Sequence, residues 1–452
     1  MSKEFTEQDW DKLNALFAES LRWATLSLPI NEIAQENKLL IRELSRYDPT
    51  LTIPLLAGLL TVLKLQSHCT RLEILVVLAV VHCRGRKTPN INNVVSWFAL
   101  IGKSKCIVGE DPAEDVFVSL VWNTNRDYRL LEGVWENAGF YTQRVLDIIV
   151  TMPDIGQFKQ IKKSVNALLE ISDMVCDKAK LSRYQIGSDK KYSELLPQMI
   201  PGRNTLISRV TITFAELIKR GISLDDIAPF ILNSQMRADL PSQQIGHSYL
   251  DRCPLIVQSK THLTVALPSA LSVAIRDYVI ESIVDGGLID IFNGVLAQNY
   301  SKLLFNTPLL GGPMQAPVIW KKVGDHQWSN FSLQVDDGYF ISFHLFLPSV
   351  KTHADGGFKD IYHYDGVITD ALQTSINEVF KHFDGCDDFK EGLVVLVGCG
   401  WGKGYASDVI EMAHNHWRFE SISVADFVRV SLIGYMTPSF FWRIQDGLEA
   451  VE

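Results

Sequence analysis

The chain has 452 residues, 47% of them hydrophobic and 21% charged, and a formal net charge of -9. That length supplies two or three domains with a large core, and the composition excludes long disorder. The acidic balance excludes a uniformly basic surface, so any contact with nucleic acid has to be local. Seven scattered cysteines without a C-x-x-C pair predict free, mostly buried thiols in a reducing compartment, the cytoplasm.

The opening residues MSKEFTEQDWDKL lack the basic and apolar regions of a secretion signal. Trp10, Leu13, Leu16, Phe17 and Leu21 recur at helical spacing. Residues 51–83 are the most apolar part of the chain. Lys64, His68, Arg71 and Glu73 cut them into two runs, each shorter than the roughly 20 residues of a membrane span. Two buried helices and no membrane contact are therefore expected. GRKTPNINNVVSWFALIG predicts a turn and a short helix. EDVFVSLVW and YRLLEG flank the turn-like NTNRD, which predicts a β-hairpin near 116–133 with Arg126 near its tip. A helical period resumes in VWENAGFYTQRVLDIIVTM. Helices followed by a hairpin loosely resemble a winged-helix arrangement, and the resemblance implies Arg126 as a nucleic-acid contact.

Residues 1–175 thus read as a mainly helical domain, and the polar, Gly- and Pro-punctuated stretch 176–206 as a linker. Residues 207–312 read as an α/β connecting segment with strands PLIVQSK and HLTVALP and a helix start at SLDD. Residues 313–452 read as a second α/β domain whose first helix lies near 288–305. Its order is strand PVIWKKV, strand FSLQV, turn DDG, strand YFISFHLFLP, helix DALQTSINEVFKHF, strand LVVLVG, helix ASDVIEMAHNHW and strand RFESISV. Such alternation predicts a mixed sheet, in an α+β chain of several domains.

Several stretches carry candidate chemistry. The loop in VLVGCGWGKG looks like the first motif of class I S-adenosylmethionine-dependent methyltransferases, in which a strand ends in GCGxG and opens onto a helix. The resemblance implies Gly398, Gly400, Gly402 and Lys403 as cofactor contacts. Leu396 stands where that family carries an acidic residue, and the 48 residues after Gly404 leave no room for the βα units that would follow. A tight strand-to-helix turn accounts for the glycines equally well. Lys403 remains a candidate nucleic-acid contact. His353, Asp355, His363 and Asp365 cluster in THADGGFKDIYHYDG, and imidazoles beside carboxylates can hold a transition metal. His353, Asp355 and His363 are the metal candidates, against a plain polar loop. Phe440, Phe441 and Trp442 offer either an interaction surface or the packing of a terminal helix.

The element order of residues 280–452 resembles the restriction-endonuclease-like, PD-(D/E)xK, modules of large bacterial proteins. The resemblance implies an Asp at the hairpin, matched by Asp336 or Asp337, and a Glu-x-Lys on the next strand that holds Mg²⁺. That strand reads ISFHLFLP, with neither residue. His344 is its one potential ligand. Too few hard oxygen donors remain for a divalent ion, which makes the module a degenerate nuclease.

The sequence therefore favours a non-catalytic scaffold or nucleic-acid-associated interaction protein without a cofactor. Its partner is another protein, with DNA or RNA as a further ligand. The resemblance sets it in bacterial nucleic-acid metabolism or phage defence. Two alternatives stand beside this reading. One is a metal-dependent nuclease with displaced residues (Asp336, Asp337, His344) holding Mg²⁺ or Zn²⁺. The other is an S-adenosylmethionine- or nucleotide-binding protein using the loop 398–404.

Overall fold

The computed structural model of the chain describes residues 29–62, 69–101, 121–123, 128–131, 149, 156–181, 201–246, 248–292, 294–295, 321–323, 326–336, 338–347, 366–383, 389–398 and 416–423. The chain divides into two compact units: residues 1–139 with 153–278, and residues 140–152 with 279–452. The expected linker 176–206 begins inside a helix of the first unit and ends inside the next one.

The first unit is built on helices α1 (Ile30–Glu36), α2 (Lys38–Leu44), α3 (Pro49–Leu59), α4 (Cys69–His82) and α5 (Ile91–Ile101). The two apolar runs become α3 and α4. Asp48 caps α3 by accepting the Thr50 amide at 2.8 Å, and Pro49 at the first helical position needs no amide partner. Leu55, Leu56, Ile74, Leu75, Val77 and Leu78 are wholly buried. Both helices are buried on nearly every side, Arg71 and Glu73 of α4 included, the pattern of a helix surrounded by protein. Among the described residues no helix is long and apolar enough to cross a membrane.

The hairpin is present as β1 (Val121–Asn123) paired antiparallel with β2 (Arg129–Leu131), and its turn with Arg126 lies outside the described residues. The 24-residue helix α6 (Gly156–Ala179) packs against β2. Next come α7 (Arg203–Val210), β3 (Thr211–Thr213), α8 (Phe214–Lys219) and α9 (Leu224–Ile227). The SLDD signal is realised as a capping box, with Ser223 and Asp226 bonded reciprocally at the start of α9. Helices α10 (Ser234–Asp239) and α11 (Tyr249–Arg252) lead to β4 (Leu255–Val257) and β5 (His262–Val265), the two expected strands. Together with β3 they form a three-stranded antiparallel sheet ordered β3-β5-β4. Helix α12 (Leu271–Asp285) follows.

The second unit holds a five-stranded mixed sheet ordered β10-β9-β8-β7-β6. Its members are β6 (Lys321–Val323), β7 (His326–Asp336), β8 (Tyr339–Leu347), β9 (Glu391–Gly398) and β10 (Trp417–Ser423), with α13 (Gly366–Phe383) between β8 and β9. Strands β6, β7 and β8 form an antiparallel meander, whereas β8, β9 and β10 run parallel. The mixed sheet is as expected. Parallel strands buried on both faces read as continuous apolar runs, and β9 is such a strand: Leu393 to Val397 are all buried. Leu372, Ile376, Val379, Phe380 and Phe383 of α13 pack on the sheet face carrying Val394, Leu396, Trp328 and Trp417. Gly392 lets the Trp417 ring lie across β9, since a Cβ there would sit 2.3 Å from it. The helices expected at 7–24, 134–152, 288–305 and 406–417, and the closing 424–452, lie wholly or mostly outside the described residues.

Candidate functional site

Strands β7 and β8 carry a row of polar side chains on the face covered by α13. Antiparallel register sets Asn330 opposite His344 and Ser332 opposite Ser342. Ser332 Oγ lies 3.1 Å from Ser342 Oγ, which lies 3.1 Å from His344 Nε2. Asn330 Nδ2 donates to Ser375 Oγ on α13 at 3.0 Å. His344 is wholly buried, 5.6 Å from the Trp328 ring. Burial alone pushes its imidazole from the usual 6.5 down to about 3, so the ring is neutral, and its Nδ1 has no hydrogen-bond partner.

Outward from this row a groove of about 300 Å³ opens between the sheet and α13, lined by Lys321, Trp328, Asn330, Asp370, Ala371, Thr374, Ser375 and Glu378. Trp328 is buried and gives the groove an apolar wall. The Asn330–Ser375 bond crosses its inner end. Lys321, Asp370 and Glu378 are exposed and carry no ion pair among the described residues. Such a lining can receive a ligand or partner side chain with an apolar body and a charged or hydrogen-bonding tip.

The structure separates the residues that the sequence singled out. Asp336 ends β7 opposite Tyr339, beside a bulge at Gln334, and the tight turn needs Gly338 at φ 84°. The amides of Lys390 and Glu391 donate to Gly338 O, which ties this turn to the start of β9. Asp337 lies outside the described residues. His344 is five positions further along β8 than Tyr339, about 17 Å at strand rise, so Asp336 and His344 do not meet at one ion. Gly398 stands at the opposite end of β9 from the hairpin turn, paired with Phe346. Asp336 and Gly398 are therefore at opposite ends of the sheet. Gly400, Gly402, Lys403, His353, Asp355, His363 and Arg126 lie outside the described residues. Among the described residues no three His, Cys, Asp or Glu side chains converge as a metal site.

In the first unit the hairpin is held to α6 by ion pairs. Arg129 Nε donates to Asp173 at 2.7 Å, a second nitrogen reaches Asp177, and Nη1 donates to Leu181 O at 3.0 Å. Tyr128 OH donates to Glu170 at 2.6 Å, and Arg220 pairs with the same carboxylate at 2.9 Å. The cation of β2 is thus engaged inside the fold. Cys83, Cys176 and Cys253 are free and buried, as the cysteine pattern predicts. Burial pushes their thiols up to about 12, 12 and 11, which leaves them poor nucleophiles.

A family model described as Upx-like, anti-phage protein Upx-like, matches residues 19–452. The chain belongs to this family. That membership supports a role in phage defence, one of the two settings expected from the sequence. No curated protein and no solved structure matches the chain.

The groove residues escaped the sequence reading, because β6, β7 and α13 meet only in the folded unit. One signal was present. In HQWSNFSLQVD the residues Trp328, Asn330 and Ser332 alternate with the other face, and a polar residue at an inward position marks a layer that needs a partner.

Proposed function

We propose that this Upx-like protein acts in phage defence as a non-catalytic interaction protein whose C-terminal unit is a degenerate nuclease-like module. The sheet order, with a meander followed by parallel strands of which β8 and β9 are joined through α13, supports the nuclease-like reading. The observation that carries the non-catalytic reading is strand β8. Ile341, Ser342, Phe343, His344 and Leu345 are all buried, and none is a carboxylate or lysine. The single titratable group among them is sealed under α13 and lies far from the acidic hairpin. A divalent ion wants several converging oxygen ligands with access to water, and β8 supplies none. Recognition then falls to surfaces such as the groove of Trp328, Asn330 and Ser375.

The test is twofold. DNA and RNA cleavage by the full chain is measured with Mg²⁺, Mn²⁺ and Zn²⁺, and plaque formation by phage is scored in cells carrying the wild type, Asp336→Ala/Asp337→Ala, or Asn330→Ala/Thr374→Arg. The expected result is no metal-dependent cleavage, protection retained in the acidic-hairpin variant, and protection lost in the groove variant. Cleavage abolished by the Asp336→Ala/Asp337→Ala change overturns the proposal.

A further inference from the structure

The segment Cys83–Asn90, CRGRKTPN, leaves α4 and runs as an extended loop to the start of α5. It is fixed by its backbone. Gly85 N donates to Tyr47 O at 3.0 Å, Lys87 N to Arg46 O at 3.0 Å, and Asp48 N to Lys87 O at 2.9 Å. Tyr47 and Lys87 form a parallel bridge. Gly85 lies so close to the α2–α3 connection that a Cβ would fall 1.9 Å from Arg46 O. At the far end Arg203 Nη1 donates to Pro89 O at 3.3 Å, and Asn90 and Asn93 cap α5 reciprocally.

With Gly85 turned inward, Arg84, Arg86 and Lys87 are exposed, and Arg42 and Arg46 are exposed on and just after the last turn of α2. The two acids nearby are engaged: Glu43 pairs with Arg46 at 2.7 Å, and Asp48 caps α3. Arg42, Arg84 and Arg86 carry no ion pair among the described residues. Lys87 Nζ stands 4.9 Å over the Tyr47 ring, itself packed edge-on to Trp97 at 5.0 Å. The amino end of the eleven-residue helix α5, with its partial positive charge, follows directly.

We propose that this loop, Arg84–Lys87 with Arg42 and Arg46 beside it, binds the phosphate backbone of a nucleic acid. In a chain of net charge -9, four exposed cations with no ion pair among the described residues, Arg42, Arg84, Arg86 and Lys87, and Arg46 beside them form the kind of local basic surface that a polyanion requires. Arginine forks suit phosphate oxygens, and a loop pinned at both ends loses little entropy on binding. An acidic protein is a poorer match, because evenly spaced phosphates reward several cations at once through counterion release. The inference rests on the first unit alone and is independent of the nuclease-like reading of the second.

The test is fluorescence anisotropy of the full-length chain with short labelled RNA, single-stranded DNA and duplex DNA, over a range of salt. Wild type is compared with Arg84→Glu/Arg86→Glu/Lys87→Glu, with the gentler Arg84→Gln/Arg86→Gln/Lys87→Gln, and with Lys159→Glu/Lys219→Glu elsewhere on the first unit. Expected are saturable binding of at least one probe, at least tenfold weakening in both loop variants, and unchanged melting by circular dichroism. The slope of log affinity against log salt should fall by about 2–3, while the Lys159/Lys219 variant binds as wild type does. If the Glu variant fails to fold, the Gln variant carries the comparison. Absence of binding to every probe overturns the proposal, as does equal loss in the Lys159/Lys219 variant. So does poly-glutamate competing as well as unlabelled nucleic acid, which turns the surface toward an acidic protein.

Discussion

Replacing His344 with leucine should remove an acid sensitivity built into the second unit. In the folded chain the ring stays neutral down to about pH 3, because burial under α13 excludes the charged form. In the unfolded chain it takes up a proton near its ordinary 6.5. Below that value the unfolded state therefore binds a proton that the folded state refuses, and stability falls with falling pH. Each unit of pH below 6.5 costs about 1.4 kcal/mol, so a measurement at about pH 5 loses about 2 kcal/mol relative to about pH 7.5. Leucine fills a similar volume and leaves Ser342 its bond to Ser332. It also removes the unpartnered Nδ1, so near neutral pH the variant should match wild type within about 1 kcal/mol. Urea unfolding of both proteins at the two pH values, followed by tryptophan fluorescence, reads the difference directly. The gap between them should change by about 2 kcal/mol with pH, leucine gaining in acid. Parallel pH dependence in the pair would refute the reasoning.

Asp251 should behave in the opposite sense. Burial raises its carboxyl to about 6 against the opposing bonds from Ser248, so its cost appears as pH rises from about 4 through 6, and Asp251→Asn should flatten that part of the stability profile by up to about 3 kcal/mol. Gly392→Ala should destabilise the second unit by about 1–3 kcal/mol through collision with the Trp417 ring, with partial recovery in Gly392→Ala/Trp417→Leu, measured by thermal unfolding. Arg129→Ala should cost about 3 kcal/mol by leaving the mostly buried Asp173 unpaired, and Arg129→Ala/Asp173→Asn should recover part of it in urea unfolding.

Much of the fold was legible where one element explains itself. The two apolar runs at 51–83 needed burial on every side, and they became α3 and α4. The capping signal at Ser223, the strands β4 and β5, the turn at Gly338 and the sandwiched run of β9 each follow from spacing or a single residue type. Chain-distant partnerships were not legible. Arg129 and Asp173 are far apart in sequence and meet because α6 packs on the hairpin. The backbone pairing of Lys87 with Tyr47 is equally invisible, so CRGRKTPN reads as an ordinary turn until its inner face is seen docked. The boundary between the units falls inside α12, at 278/279, where no shift of composition marks it.

The candidate site shows the same limit from the other side. His344 stood out as a residue type suited to metal chemistry, and its place in the ladder gives it a different task. A slip of β8 by one residue would carry Ser342 and His344 from the α13 face to the other face of the sheet and break the Ser332–Ser342 bond between the strands. In a unit whose β9 is apolar on both faces, hydrophobic burial alone distinguishes such registers weakly. The Ser332–Ser342 and Asn330–Ser375 bonds supply the missing specificity, the first fixing β7 on β8 and the second α13 on β7. The second of these bonds joins two residues of the groove lining. A polar layer that sets register in the core and positions Asn330 and Ser375 at a surface opening links the stability of the second unit to the shape of that opening.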